Sequence, residues 1–133
     1  MLLLDTHAFV WLVSDLSRLP LHAQEVIRSS ADALFLSGIS GMEIALAVKR
    51  GRLELPTDAE AFVQRGVAQH GIREIPVSAT LGCRAARLPD IHNDPFDRIL
   101  IATAPAYRLA ILSKDAVIPK YPDIRVIWDA ARD

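Results

Sequence analysis

Met1-Leu2-Leu3-Leu4-Asp5-Thr6-His7-Ala8-Phe9-Val10-Trp11-Leu12 sets three consecutive leucines before one acid and then a mostly apolar segment. An unbroken apolar run suits a strand covered on both faces, as in a parallel sheet. Working outward, similar short runs recur at Ala33-Leu34-Phe35-Leu36, Ala110-Ile111-Leu112 and Arg125-Val126-Ile127-Trp128, with Glu74-Ile75-Pro76-Val77 as a fifth. Helical spacing fills the intervals. Ala23, Val26 and Ile27 share one face; Ile44, Leu46, Ala47 and Val48 form another, closed by Gly51. Ala59, Phe62, Val63 and Val67 follow, closed by Gly71, and residues 79–88 and 96–109 supply two more. Strands alternating with helices predict an α/β fold, a central parallel sheet of four to five strands with helices on both faces.

At 133 residues and 14.6 kDa the chain matches one domain, residues 1–133. Folding should hide roughly two-thirds of the surface the unfolded chain exposes. Hydrophobic residues make up 51%, enough for a core without disulfides, and one cysteine forms none internally. Cys83 is expected to be a small buried hydrophobe. Net charge is −1, which excludes a basic nucleic-acid coat and an acidic disordered chain but not a nuclease with a local basic rim. No run reaches the roughly 18 apolar residues of a membrane span. The N-terminus lacks a basic segment and a cleavage site, so no signal peptide and no membrane association are expected, and the simplest address is cytoplasmic.

In doubly wound folds, sites form at the carboxyl ends of parallel strands. Four acids fall there. Asp5 follows the first strand, Glu43 and Asp97 lie in first helical turns, and Asp115 follows Ile111-Leu112-Ser113-Lys114. Each also has an ordinary explanation. Ser40-x-x-Glu43 reads as a capping box, and Asp94-Pro95-Phe96-Asp97 places Asp94 as N-cap, Pro95 at the first helical position and Asp97 at the third. Asp5 suits an N-cap as well, and Asp115 a turn. Capping alone leaves unexplained why all four follow strands. Crowded carboxylates repel one another, and Mg2+ or Mn2+ held by oxygen ligands is the natural compensation.

Leu3-Leu4-Asp5-Thr6-His7, Ser40-x-x-Glu43-Ile44, the block His92-Asn93-Asp94-Pro95-Phe96-Asp97-Arg98-Ile99-Leu100-Ile101-Ala102 and Leu112-Ser113-Lys114-Asp115 together resemble the PIN-domain family. The branch they resemble holds VapC-type toxins of toxin–antitoxin pairs, and the resemblance runs from Met1 to about Trp128. It implies a metal-dependent endoribonuclease with a cognate antitoxin, leaving 5′-phosphate and 3′-hydroxyl ends. The family's acidic cluster maps onto Asp5, Glu43, Asp97 and Asp115, with Asp94 as a further acid. Three departures qualify the match. Gly41-Met42 stands where relatives often carry a larger aromatic, Ser113 replaces a frequent threonine, and Pro105 is expected to kink or end its helix.

On this reading Asp5, with Asp97 and Asp115, holds Mg2+ or Mn2+, and Glu43 orients water or a hydrated ion. Arg98, Lys114 and Lys49 are the candidate substrate contacts, although Lys49-Arg50-Gly51-Arg52 also reads as a Gly-capped helix C-terminus. His7 and His92 have no partner histidine at metal spacing and are expected to be neither zinc ligands nor essential bases. The Trp11 helix and the Ala23–Ile27 segment are expected to form an apolar groove for an antitoxin segment. Mean hydropathy of +0.23 is high for a small monomer, and a homodimer would cover the same surplus. Two alternatives remain at this stage. A phosphoryl-transfer protein using Asp5 would want a second acid two residues on, where His7 stands, and a non-catalytic module would keep the acids only as caps.

Overall fold

The computed structural model describes residues 1–129 and the backbone of the strand at 131–132. Strand β1 (Leu2–Leu4) lies mid-sheet, between β2 (Leu34–Ser37) and β4 (Ala110–Leu112). Beyond β2 comes β3 (Arg73–Ile75); beyond β4 come β5 (Val126–Ile127) and β6 (Ala131–Arg132). The first five are parallel, as the continuous apolar runs predict, and β6 adds an antiparallel edge. The chain winds outward from β1 in both directions, so the β1–β4 boundary is the switch point where a crevice opens.

Period-two alternation divides β1 between two cores. Leu2 and Leu4 join Ala8, Phe9, Leu12, Ala23, Ile44 and Phe62 from α1 (Thr6–Ser14), α2 (Leu21–Ser29), α3 (Ile39–Lys49) and α4 (Ala59–His70). Leu3 joins Leu100, Ile101 and Ala104 of α6 (Pro95–Tyr107) on the opposite face. Helix α5 (Ala79–Arg87) packs on α6 through Leu81 and Ala85. All three leucines of β1 are buried, each contributing roughly 2 kcal/mol of transfer free energy.

Local chemistry sets the helix ends near the crevice. Asp5 caps α1, its Oδ1 accepting from Ala8 N at 2.8 Å, while Asp5 N donates to Leu112 O across the sheet at 3.0 Å. Asp94 caps α6 by accepting from Phe96 N at 2.9 Å, with Pro95 in the first turn. Gly71, at φ 60°, closes α4 in the left-handed region that favours glycine.

Four expectations need correction. Ser40 and Glu43 form no capping box: α3 starts at Ile39, whose N–H donates to Ser37 Oγ, and Ser40 is buried inside the first turn. Cys83 is exposed, because the buried face of α5 is set by Leu81 and Ala85 and a residue midway between them points outward. Of the kink or end expected at Pro105, the end is overturned: α6 runs two residues further and ends where Arg108 turns left-handed at φ 57°. Ala23 and Ile27 of α2 are buried in the core, so that helix offers no groove wall from this face.

Candidate active site

Asp5, buried at the end of β1, lies beside Ser113 at the end of β4, and burial pushes its carboxyl up while the Ser113 hydroxyl and Ala8 N–H hold it down. Thr6, one residue on, donates through Oγ1 to Glu43 Oε1 and hydrogen-bonds Ser40 Oγ at 3.0 Å. That contact carries Glu43 from the second turn of α3 towards the end of β1. Burial raises Glu43 too, the Thr6 hydroxyl opposing it and Asp94 adding to it.

Asp97 concentrates the strain of the cluster. Burial, and then the charges of Asp94, Glu43, Asp115 and Asp5, push it up to about 8. Asp5, Glu43 and Asp115 are, with Asp97 itself, the four acids that the sequence sets after strands, and Asp94 joins them, so the fold brings all five into one field. Asp115 behaves oppositely. Burial pushes it up, but hydrogen bonds from His92 and from Val117 and Ile118 N–H outweigh burial and hold it below its ordinary value. Its Oδ1 accepts from Val117 N at 2.7 Å and Ile118 N at 3.0 Å, opening the short 3-10 turn Ile118–Lys120.

His92, which flanks the acids in sequence and was expected to be neither a zinc ligand nor an essential base, meets two of them directly. It is buried, with Nε2 3.1 Å from Asp115 Oδ2 and 3.2 Å from Asp97 Oδ2. Together the three residues offer ligand atoms within 4.8 Å of one another. The test for paired histidines in sequence missed it, since its partners are carboxylates 5 and 23 positions away in the chain. An oxygen-rich cluster in which one acid is driven towards protonation fits a hard divalent cation.

The basic residues separate into two kinds. Arg98 turns away from the acids: Nη1 donates to Pro89 O and His92 O, and Nη2 to Ala86 O and Leu88 O, at 2.8–3.2 Å. Its guanidinium donors are spent on the end of α5 and the loop before α6, which argues against the expected substrate contact. Lys114 Nζ instead lies 4.8 Å from the centroid of the Trp11 ring, as does Arg18 Cζ. Beside the acids runs a groove of about 330 Å³ between α1 and α3. Val10, Trp11, Ile44, Leu46, Leu53 and Phe96 supply its apolar wall; His7, Glu43, Asp94, Arg50 and Arg52 supply its polar groups. Lys49, the last residue of α3, does not line it.

The family model for the PIN domain matches residues 2–124. The chain belongs to the PIN-domain family. No curated protein matches it significantly in sequence. Among solved structures, this PIN domain is similar to VapBC2 from Rickettsia felis bound to a DNA fragment from its promoter. That match has a TM-score of 0.71 at 14% identity, covering 96% of this chain and 98% of the other. A toxin–antitoxin complex from Klebsiella pneumoniae follows at TM-score 0.65 and 20% identity, covering 97% and 98%. FitAcB from Neisseria gonorrhoeae gives 0.63 at 20% identity, covering 96% of each chain. At such identities the likeness is one of fold. Among the described residues, no helix is long and apolar enough to cross a membrane.

Proposed function

We propose that this PIN domain is a divalent-metal-dependent endoribonuclease and the toxin of a type II toxin–antitoxin pair. The observation that carries the reading is the convergence of acids at the strand ends, where Asp97 and Asp115 meet at His92, Thr6 holds Glu43 towards β1, and the crowding pushes the buried Asp97 up. A non-catalytic module would gain nothing from that repulsion. Caps and a turn account for Asp5, Asp94 and Asp115 singly, yet neither Asp97 nor Glu43 caps a helix.

In this reading Asp5, Asp97 and Asp115 hold Mg2+ or Mn2+. The ion, when bound, supplies Lewis acidity, lowering the pKa of water and neutralising charge on the phosphoryl oxygens. Glu43, fixed by Thr6, orients the attacking water by accepting its hydrogen bond. Asp94 keeps the carboxylate field negative while capping α6. Lys114, next to Asp115 and above Trp11, is placed to meet a phosphate, and Arg50 and Arg52 extend that reach along the groove.

The partner reading rests on two supports. One of the similar folds is named as a toxin–antitoxin complex, and the apolar α1–α3 groove has the character that accepts an amphipathic helix. The exposed side chains of Leu16, Leu21 and Met42 support a homodimer, and a cytoplasmic location accords with the RNA substrate. The deciding experiment is RNA cleavage by purified protein with Mg2+ or Mn2+ and with EDTA, alongside Asp5→Asn and Asp97→Asn. Cleavage lost with the chelator and in both folded variants is the expected result; equal cleavage by all samples would mean a contaminating nuclease and remove the assignment.

A further inference from the structure

The contacts of His92 have a sense of direction that the cluster of ligand atoms alone does not show. Its Nδ1 accepts from the backbone N–H of Asp94 at 3.1 Å. A backbone N–H only donates, so Nδ1 carries its lone pair there and the ring proton sits on Nε2. Nε2 is the atom that faces the two carboxylates, donating to Asp115 Oδ2 at 3.1 Å with Asp97 Oδ2 at 3.2 Å. The geometry points to His92 as a positioning residue, a fixed N–H donor that draws Asp97 and Asp115 together, and not as a ligand of the ion they hold.

Exchanging the tautomer would set an Nδ1–H against the Asp94 N–H, two donors with no acceptor between them. Ligation through Nε2 therefore requires breaking the Asp94 contact or moving the loop. The loop is held against such movement at both backbone atoms of His92. Tyr121 Oη accepts from His92 N at 2.8 Å while donating to Pro89 O at 2.7 Å. Arg98 Nη1 donates to His92 O at 3.0 Å. The ring is thus anchored by Asp94, Tyr121 and Arg98. This also gives Arg98 a role: beside an acid in sequence, it builds the support for the donor that meets that acid. One N–H directed between two carboxylates reduces their repulsion and leaves their remaining lone pairs open to a cation, as outer-shell donors to metal-binding carboxylates do.

The inference rests on the metal-centre reading above, and its test separates the two. Ring 15N spectra of the histidines would be recorded on the metal-free and Mg2+-loaded protein. Mn2+ affinity would be measured by calorimetry for wild type, His92→Leu and His92→Gln, with melting temperature as a check on folding. The expected ring pattern is a protonated Nε2 and an unprotonated Nδ1 in both states. Removing the donor in His92→Leu should weaken Mn2+ binding roughly ten- to hundredfold, and His92→Gln, whose side-chain amide places an N–H at similar reach, should recover most of it. A proton on Nδ1, scalar coupling between Nε2 and bound 113Cd2+, or unchanged Mn2+ affinity in a folded His92→Leu would each overturn the assignment. Should His92→Leu fail to fold, the wild-type ring pattern and the coupling measurement decide. Absence of RNA cleavage alongside the expected ring pattern and Mn2+ affinities would count against the nuclease and leave the positioning role supported.

Discussion

Thr6 Oγ1 hydrogen-bonds Glu43 Oε1 across 37 positions of sequence, joining the first turn of α1 to the second turn of α3. Thr6 is buried, so little solvent reaches its hydroxyl to replace the carboxylate. Thr6→Val keeps the shape and deletes the donor, so Glu43 loses the contact that holds its raised carboxyl in check. The variant should lose about 1–2 kcal/mol of stability by urea denaturation at neutral pH. Because folded Glu43 then binds its proton more tightly, the deficit should grow as pH rises above the ordinary glutamate value of 4.5 and be smallest below it, where the group is protonated folded or unfolded. A deficit that does not vary with pH would show that Thr6 acts on packing alone.

Asp97 sets the acid–base behaviour of the metal-free protein. Its folded carboxyl is pushed up to about 8 from an ordinary 3.8, so between those values the folded state keeps a proton that the unfolded state has lost. Stability in EDTA should therefore fall as pH rises through that window and level off above it. Asp97→Asn has no proton to lose and should flatten the curve. It should exceed wild type by on the order of 2 kcal/mol near pH 8, an allowance for solvent screening and for coupling within the cluster. Parallel urea midpoints for the two proteins across the range would refute this.

The same proton links pH to metal binding. A cation entering beside Asp97 must displace it, so Mg2+ or Mn2+ affinity should rise with pH and flatten above about 8. Calorimetry in two buffers of different ionisation enthalpy should detect net proton release near pH 7. Heats that agree in both buffers would mean that Asp97 is not at the ion.

The strands and the caps were legible because their causes are local. Leu2-Leu3-Leu4 is apolar on successive residues, and Asp94-Pro95 carries its helix start within two positions. The site was legible only as a set of acids after strands, since that placement follows from topology. Its internal wiring was not. His92 meets Asp115 from 23 positions away, through a loop whose shape depends on Tyr121 and Arg98. Arg98 shows the same limit: adjacent positions on a helix point about 100° apart, so sequence proximity to Asp97 did not bring its guanidinium to the acids. Ser40 failed as a cap because α3 begins two residues earlier than the motif suggests.

Gly66 in α4 has a packing reason to lack a side chain. A Cβ there would stand 2.7 Å from Val13 Cγ2 and 2.8 Å from Phe9 Cζ, both on α1. Alanine is the better helix former by close to 1 kcal/mol, yet Phe9 is fully buried and has no room to withdraw. Gly66→Ala should therefore be net destabilising by roughly 1–3 kcal/mol in urea unfolding. A gain in stability would mean that α1 and α4 separate without cost.

Arg50 and Arg52 line the α1–α3 groove and Lys49 does not, although the three stand within four positions of one another. Helix α3 ends at Lys49, and Gly51 at φ 71° reverses the chain so that the arginines on either side of it both reach the groove. If RNA phosphates follow this groove, each arginine contact should contribute about 0.7 to the slope of log affinity against log salt for a single strand. In an Asp97→Asn background, chosen to prevent cleavage, Arg50→Ala with Arg52→Ala should lower that slope by roughly 1.4. Lys49→Ala should leave it nearly unchanged. Filter binding or fluorescence anisotropy over a range of KCl measures both. A loss confined to Lys49→Ala would place the RNA path along the outer face of α3, and leave the groove to a protein partner.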